Sequence, residues 1–296
     1  LPTAGITWIA VLPTHRRRGI LTQLMRGQLQ QAVARGEAAA ALVAAEGGIY
    51  GRFGMGPAVS VNSIHVDRNR AAFLRPVKTG GRLVLLTDEE AAAKLPPLYE
   101  RLRSRRPGEV SRSAAWWDVY LRDPEPEQAG AGPMLHVMHE SAAGNPDGYA
   151  TYRVKEEWTG WVPANEVRLL ELVSADPDVY AALWQYLLSI DLSRGVSFEN
   201  GRLDEPLRWL LADPRALQVQ ALIDFLWLRV LDLPGALGTR ACGTTGELTI
   251  EVVDGFPQHK TTTVLLRVSD PSAPTCQLTD RQPDLRLDLS ALSAAS

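Results

Sequence analysis

Thr7-Trp8-Ile9-Ala10-Val11-Leu12-Pro13-Thr14-His15-Arg16-Arg17-Arg18-Gly19-Ile20-Leu21-Thr22 is the stretch that decides the reading of this chain. Apolar text from Ile6 to Leu12 predicts a strand, broken at Pro13. A basic, glycine-ended turn follows and opens an amphipathic helix. In that helix Ile20, Leu21, Leu24, Met25, Leu29, Ala32 and Val33 recur at a helical period. The helix is expected over Gly19–Arg35, with Gly36 as its C′ residue. The turn therefore lies where backbone N–H groups are unpaired and the helix dipole is positive. Arg16, Arg17 and Arg18 add charge, and Gly19 has no Cβ to block a close approach. Such a site suits a diphosphate.

A basic triplet before a helix is also the pattern of a solvated face or a nucleic-acid contact, and Arg-x-x-Gly alone is a weak motif. The residues after the helix strengthen it. Ala39 to Ala45 reads as a strand buried on both faces. Its alanines leave room for a thin ligand arm between splayed strands, or pack tightly against the helix; sequence does not separate the two. Tyr50-x-x-x-Gly54 comes next.

Strand, basic turn, helix, strand and tyrosine in this order resemble the core of the GNAT N-acetyltransferases. Arg16-x-x-Gly19-x-Leu21 is similar to that family's acetyl-CoA signature, Gln/Arg-x-x-Gly-x-Gly/Ala, departing from it at Leu21. Pro13 to Gly19, taken with Glu46-Gly47-Gly48-Ile49-Tyr50-Gly51-Arg52-Phe53-Gly54, resembles the "enhanced intracellular survival" (Eis) acetyltransferases, and the resemblance covers the whole chain. It implies acetyl-CoA as co-substrate and no metal. The diphosphate would rest on Arg16, Arg17 and Arg18 and on the N–H groups of Arg17 to Thr22, thus on Gly19, Ile20, Leu21 and Thr22. Ile9, Ala10 and Val11 would pair with the pantetheine arm like a partial strand and polarise the thioester. Ala45 and Glu46 would line the cofactor.

Tyr50 is the expected general acid. A phenol of reference pKa ~10 gives a proton to a thiolate of ~8.5 only where the site holds it well. The implied acceptors are primary amines of aminoglycosides, polyamines or lysine side chains, acetylated by direct transfer in a hexameric enzyme. Family members are thought to use the terminal carboxylate as base. This chain ends Leu292-Ser293-Ala294-Ala295-Ser296, unlike that ending, so the role does not pass to Ser296.

The 296 residues allow two or three domains. With 45% hydrophobic and 22% charged residues the composition is that of a soluble globular protein. A net charge of −3 gives no reason to expect a polyanionic partner, and the only lysines are Lys78, Lys94, Lys155 and Lys260. Cys242 and Cys276 form neither a disulfide framework nor a zinc spacing, so a reducing cytoplasm is the simplest compartment. No apolar run approaches the roughly 20 residues of a membrane span. The GNAT fold places strands and helices before Ile6, so the first domain is expected to be N-terminally incomplete.

The expected fold class is α/β (α+β): tandem GNAT-type domains followed by a sterol-carrier-protein-like α+β domain. The expected divisions are 1–78, the C-terminal part of an acetyl-CoA-binding GNAT domain; 79–218, a second GNAT-like domain; and 219–296, the sterol-carrier-like module. In the second, Glu89–Arg103 reads as a helix interrupted by Pro96 and Pro97, and Pro177–Ile190 as a helix capped by Asp176. No Arg-x-x-Gly turn precedes the latter, and an acidic cap does not hold a diphosphate, so this domain is expected to lack a cofactor site. Asp204–Ala212, Leu222–Val230 and Leu231–Leu237 read as helical text. Glu247–Val253, Thr261–Val268, Thr275–Thr279 and Leu285–Leu289 read as strands, with Asp254-Gly255 a hairpin signal. His136 and His139, three apart in strand text, face opposite sides and cannot chelate together. His15 reads as a turn residue. The competing function is a non-catalytic acyl-CoA or lipid binder, which an open apolar tunnel in 219–296 would favour.

Overall fold

The computed structural model describes residues 1–106 and 108–295; Ser296 lies outside them. The chain runs β1 (Thr3–Gly5), α1 (Ile20–Ala34), β2 (Ala39–Val43), α2 (Gly47–Tyr50), β3 (Gly56–Asp67), β4 (Arg82–Leu86), α3 (Asp88–Arg103) and α4 (Ala114–Tyr120). It continues through β5 (Leu135–Glu140), β6 (Pro146–Lys155), β7 (Trp158–Thr159), β8 (Val162–Pro163), β9 (Asn165–Ser174), α5 (Pro177–Ser189), β10 (Ser193–Gly201), α6 (Leu207–Leu210) and β11 (Leu217–Val230). It closes with α7 (Leu233–Gly238), β12 (Gly246–Asp254), β13 (Lys260–Val268), β14 (Thr275–Leu278), β15 (Leu285–Asp288) and α8 (Leu289–Ala295). Two compact units result, residues 1–60 with 223–296, and residues 61–222.

In the first unit β1 pairs parallel with β2 from Thr3↔Ala39 to Gly5↔Ala41, and β11 pairs antiparallel with β2 from Leu226↔Val43 to Val230↔Ala39. Met25, Leu29 and Ala32 of α1 pack on Ala40 and Leu42, with Phe53, Met55, Trp227 and Phe256 completing the core. Ala40 is fully buried there. The alanines of β2 thus serve close packing, and each large apolar side chain buried contributes about 1.5–3 kcal/mol.

The strand expected over Ile6–Leu12 lies earlier. Only Thr3–Gly5 pairs, the Ile6 N–H donates to the Ala41 carbonyl at 2.8 Å, and Trp8 then takes φ of 56°. A bulky residue in the left-handed region ends the ladder, so 7–12 leaves β2. The text at Leu222–Val230, read as helical, is instead the second half of β11, whose Trp227, Arg229 and Val230 are buried. Apolar runs of this length fit either element, and the vacant edge of β2 decides. Leu231–Leu237 shortens to α7, and Asp204–Ala212 to α6.

The rest of the first unit is a sheet ordered β14-β13-β12-β15. Asp254-Gly255 begins the turn joining antiparallel β12 and β13, whereas β15 runs parallel to β12, so the sheet is mixed. Leu237, Leu289 and Leu292 of α7 and α8 close on Val230, Ile250, Val252 and Val264.

In the second unit the order is β3-β10-β9-β6-β5-β4. Leu183, Trp184 and Leu187 of α5 pack with Val137, Ala150, Val167 and Val196 from the strands. α3 runs unbroken through Pro96 and Pro97. A Thr87–Glu90 capping box starts it, and a buried stripe of Ala91, Leu95, Leu98, Tyr99 and Leu102 outweighs the lost N–H bonds. Beyond α3, Arg112 lies 3.8 Å from the Tyr99 ring centroid and 4.2 Å from that of Trp116, and pairs with Glu171. Asp176 caps α5 as expected, its Oδ1 accepting the N–H groups of Asp178 and Val179 at 2.9 Å.

Candidate active site

α1 starts without a side-chain cap. Its N-cap is Gly19, at φ 75°, ψ 4°, and the first bond of the helix runs from the Gln23 N–H to the Gly19 carbonyl at 3.1 Å. The N–H groups of Ile20, Leu21 and Thr22 are left with no intrahelical acceptor, and no acidic residue stands in the first turn. A Cβ built on Gly19 meets nothing within 4 Å, so the glycine serves its left-handed conformation. Arg17, at φ 60°, is a second left-handed residue in the same turn. Arg16, Arg17 and Arg18 are exposed, and among the described residues none pairs with a carboxylate.

These groups open onto a cleft of about 590 Å³ within the first unit. Ile9, Ala10 and Val11 line it; past Ile6 their N–H groups have no main-chain partner among the described residues. The turn and helix start, Arg16, Arg17, Gly19, Ile20, Leu21 and Thr22, line it as well. Ala45 and Glu46, just beyond β2, line it with Tyr50. The cleft thus opens where the chain after β1 departs from β2. Every residue singled out from sequence for this site lines it except Arg18. His15, Ile49 and Arg52 line it too and were not anticipated there. Ile49 and Arg52 flank Tyr50 on the α2 turn; the signal that could have found them is their helical spacing of three.

Tyr50 ends α2 and is half-buried. The turn after it closes at Gly54, whose φ of 73° is left-handed and whose N–H donates to the Gly51 carbonyl at 2.9 Å. The phenol has no hydrogen-bond partner among the described residues. The two strand histidines stay apart: His136 Nδ1 lies 3.0 Å from Thr151 Oγ1, and His139 Nδ1 lies 2.5 Å from Asp147 Oδ1.

Two family models, both described as an acetyltransferase (GNAT) domain, match residues 1–58 and 108–230. The N-acetyltransferase Eis of Mycobacterium tuberculosis is 34% identical over 302 residues, covering 99% of this chain and 70% of that protein. The chain belongs to the Eis-like GNAT N-acetyltransferases. An uncharacterized N-acetyltransferase of Streptomyces griseus is 35% identical over 308 residues, with 98% of this chain and 70% of that protein covered. The crystal structure of Eis1 from Mycobacterium abscessus superposes with a TM-score of 0.82 at 34% identity, over 99% of this chain and 71% of that one. A GCN5-related N-acetyltransferase from Anabaena variabilis reaches 0.82 at 17% identity, covering 99% of this chain and 72% of that one, which shows the fold alone.

The protein is accordingly an acyltransferase with two GNAT domains in a mixed α/β fold. GNAT acetyltransferases use acetyl-CoA as co-substrate, and the residues here fit it: an open left-handed glycine, with N–H donors at a helix start and guanidinium groups that are unpaired among the described residues. No helix among the described residues is long and apolar enough to cross a membrane.

Proposed function

We propose that this Eis-like cleft binds acetyl-CoA and that the enzyme passes the acetyl group directly to a primary amine of an aminoglycoside, a polyamine or a lysine side chain. The observation that carries the proposal is the convergence, in one cleft, of the uncapped α1 start, Arg16 and Arg17, and the free phenol of Tyr50. Ile20, Leu21 and Thr22 N–H groups and the two guanidinium groups hold the diphosphate. The unpaired N–H groups of Ile9, Ala10 and Val11 align the pantetheine arm, and one of them polarises the carbonyl. Bound acetyl-CoA supplies the thioester as electrophile. As the N–C bond forms and the C–S bond breaks, Tyr50 gives its proton to the departing sulfur, the acylated nitrogen releases its extra proton to solvent, and solvent reprotonates the phenolate, leaving a neutral amide and the free thiol of CoA.

The same reading takes 79–218 as a GNAT-like domain without a cofactor site, since the α5 N–H groups are engaged by Asp176. It takes 219–296 as a sterol-carrier-like module, the assembly as a hexamer, and the compartment as the cytoplasm. A lipid-binding role is not favoured, because Ile250, Val252, Val264, Leu289 and Leu292 close on one another.

The test is free-thiol release from acetyl-CoA by the full-length protein against a panel of amines, repeated with Tyr50→Phe. The variant should fold and bind cofactor normally, with turnover about 10²–10⁴-fold lower and KM for acetyl-CoA nearly unchanged. Wild-type turnover in a folded Tyr50→Phe protein removes the phenol from the mechanism.

A further inference from the structure

Arg229 lies near the end of β11, in otherwise apolar text, with 4% of its surface exposed. Its Nη1 donates to the Phe53 carbonyl at 2.6 Å. Its Nη2 donates to Asp254 Oδ2 at 2.6 Å and to the Phe256 carbonyl at 2.7 Å. Phe53 is the third residue after Tyr50, and Gly54 next to it has φ of 73°. A Cβ on Gly54 would stand 1.9 Å from Nη1, so the guanidinium fills the space that this glycine leaves. The Phe53 and Phe256 rings meet edge to face with centroids 5.0 Å apart. One buried cation thus ties the Tyr50–Gly54 turn to the turn between β12 and β13.

Stability alone is a poor reason for an arginine here. Burying an ion pair costs several kcal/mol, and well-packed apolar residues often replace one without loss. Arg229 also leaves its Nε without a partner among the described residues. What the fork supplies is direction: it fixes one carbonyl of the tyrosine turn against two acceptors on another element.

We infer that Arg229 is a positioning residue for Tyr50, holding the turn so that the phenol stays at one place in the cleft. The inference rests on the acid role of Tyr50, and the experiment keeps the two separable. Arg229→Lys keeps the charge but cannot fork to Phe53 and to Asp254 together. Expected in the full-length enzyme are a turnover about 10–100-fold lower, a KM for acetyl-CoA within about twofold, and a double variant with Tyr50→Phe about as slow as Tyr50→Phe alone. Asp254→Asn, a milder change at the other end of the fork, should show the same non-additivity with a smaller loss, and carries the test if Arg229→Lys does not fold. A slow Tyr50→Phe beside a wild-type-like Arg229→Lys, or losses that multiply in the double variant, overturns the inference alone. Wild-type turnover in Tyr50→Phe overturns the acid role and the inference with it.

Discussion

Gly19→Asp should leave the fold nearly intact while lowering acetyl-CoA affinity by one to two decades. The magnitude comes from three features of the turn. Nothing lies within 4 Å of a Cβ at this position, so the new side chain meets open space. The left-handed φ of 75° costs an ordinary L-residue about 1–2 kcal/mol, and aspartate less. A carboxylate at the start of α1 returns about 0.3–1 kcal/mol through the helix dipole. Folding stability should therefore change by less than about 1 kcal/mol. The diphosphate, by contrast, would lie close to the new charge. At a separation of about 5 Å and an effective dielectric of about 20, each pair of unit charges repels by about 3 kcal/mol, and solvent at this exposed turn reduces that to about 1.5–3 kcal/mol. That range is a factor of about 10–100 in Kd. Calorimetric titration with acetyl-CoA beside a thermal melt measures both quantities. Gly19→Asn, which tolerates the same backbone without the charge, should bind with a smaller loss. Unchanged affinity in Gly19→Asp, or equal losses in the two variants, would refute a diphosphate at this turn.

Further outcomes are open to measurement. Arg17→Ala should weaken acetyl-CoA by about 1.5–3 kcal/mol through one lost charge-assisted contact, read by calorimetry. Excess acetyl-CoA soaked into crystals should fill one site per chain, at α1; density at the start of α5 would contradict the cofactor-free reading of the second domain. Glu171→Ala should cost about 1.5–3 kcal/mol in chemical denaturation, because it leaves the half-buried Arg112 charge and the Tyr149 hydroxyl without their shared acceptor. Burial holds His136 below its ordinary value of 6.5, so the unfolded chain takes up its proton first as pH falls. The associated stability is present above pH 6.5 and lost below it. The denaturation midpoint should therefore fall less steeply from about pH 7.5 to about pH 5.5 in His136→Gln than in the wild type.

The form of the Arg16–Gly19 turn was legible in the sequence because its chemistry is local. A glycine between a basic triplet and an amphipathic helix states both the left-handed cap and the uncapped donors, and Asp176-Pro177 states the opposite for α5. Tyr50 was legible through its spacing to Gly54. The sequence could not say where β1 stops, because that depends on Trp8 turning left-handed beside an edge of β2. Nor could it tell that Leu222–Val230 is a strand: an apolar run suits any buried element, and only the open edge of β2, distant in the chain, selects the extended form. Arg229 was hidden for the same reason, since its acceptors on Phe53, Asp254 and Phe256 come from segments far apart in sequence. Local backbone chemistry wrote the donors of the cleft; the pairing of distant strands decided which segments line it and which buried arginine reaches the Tyr50–Gly54 turn.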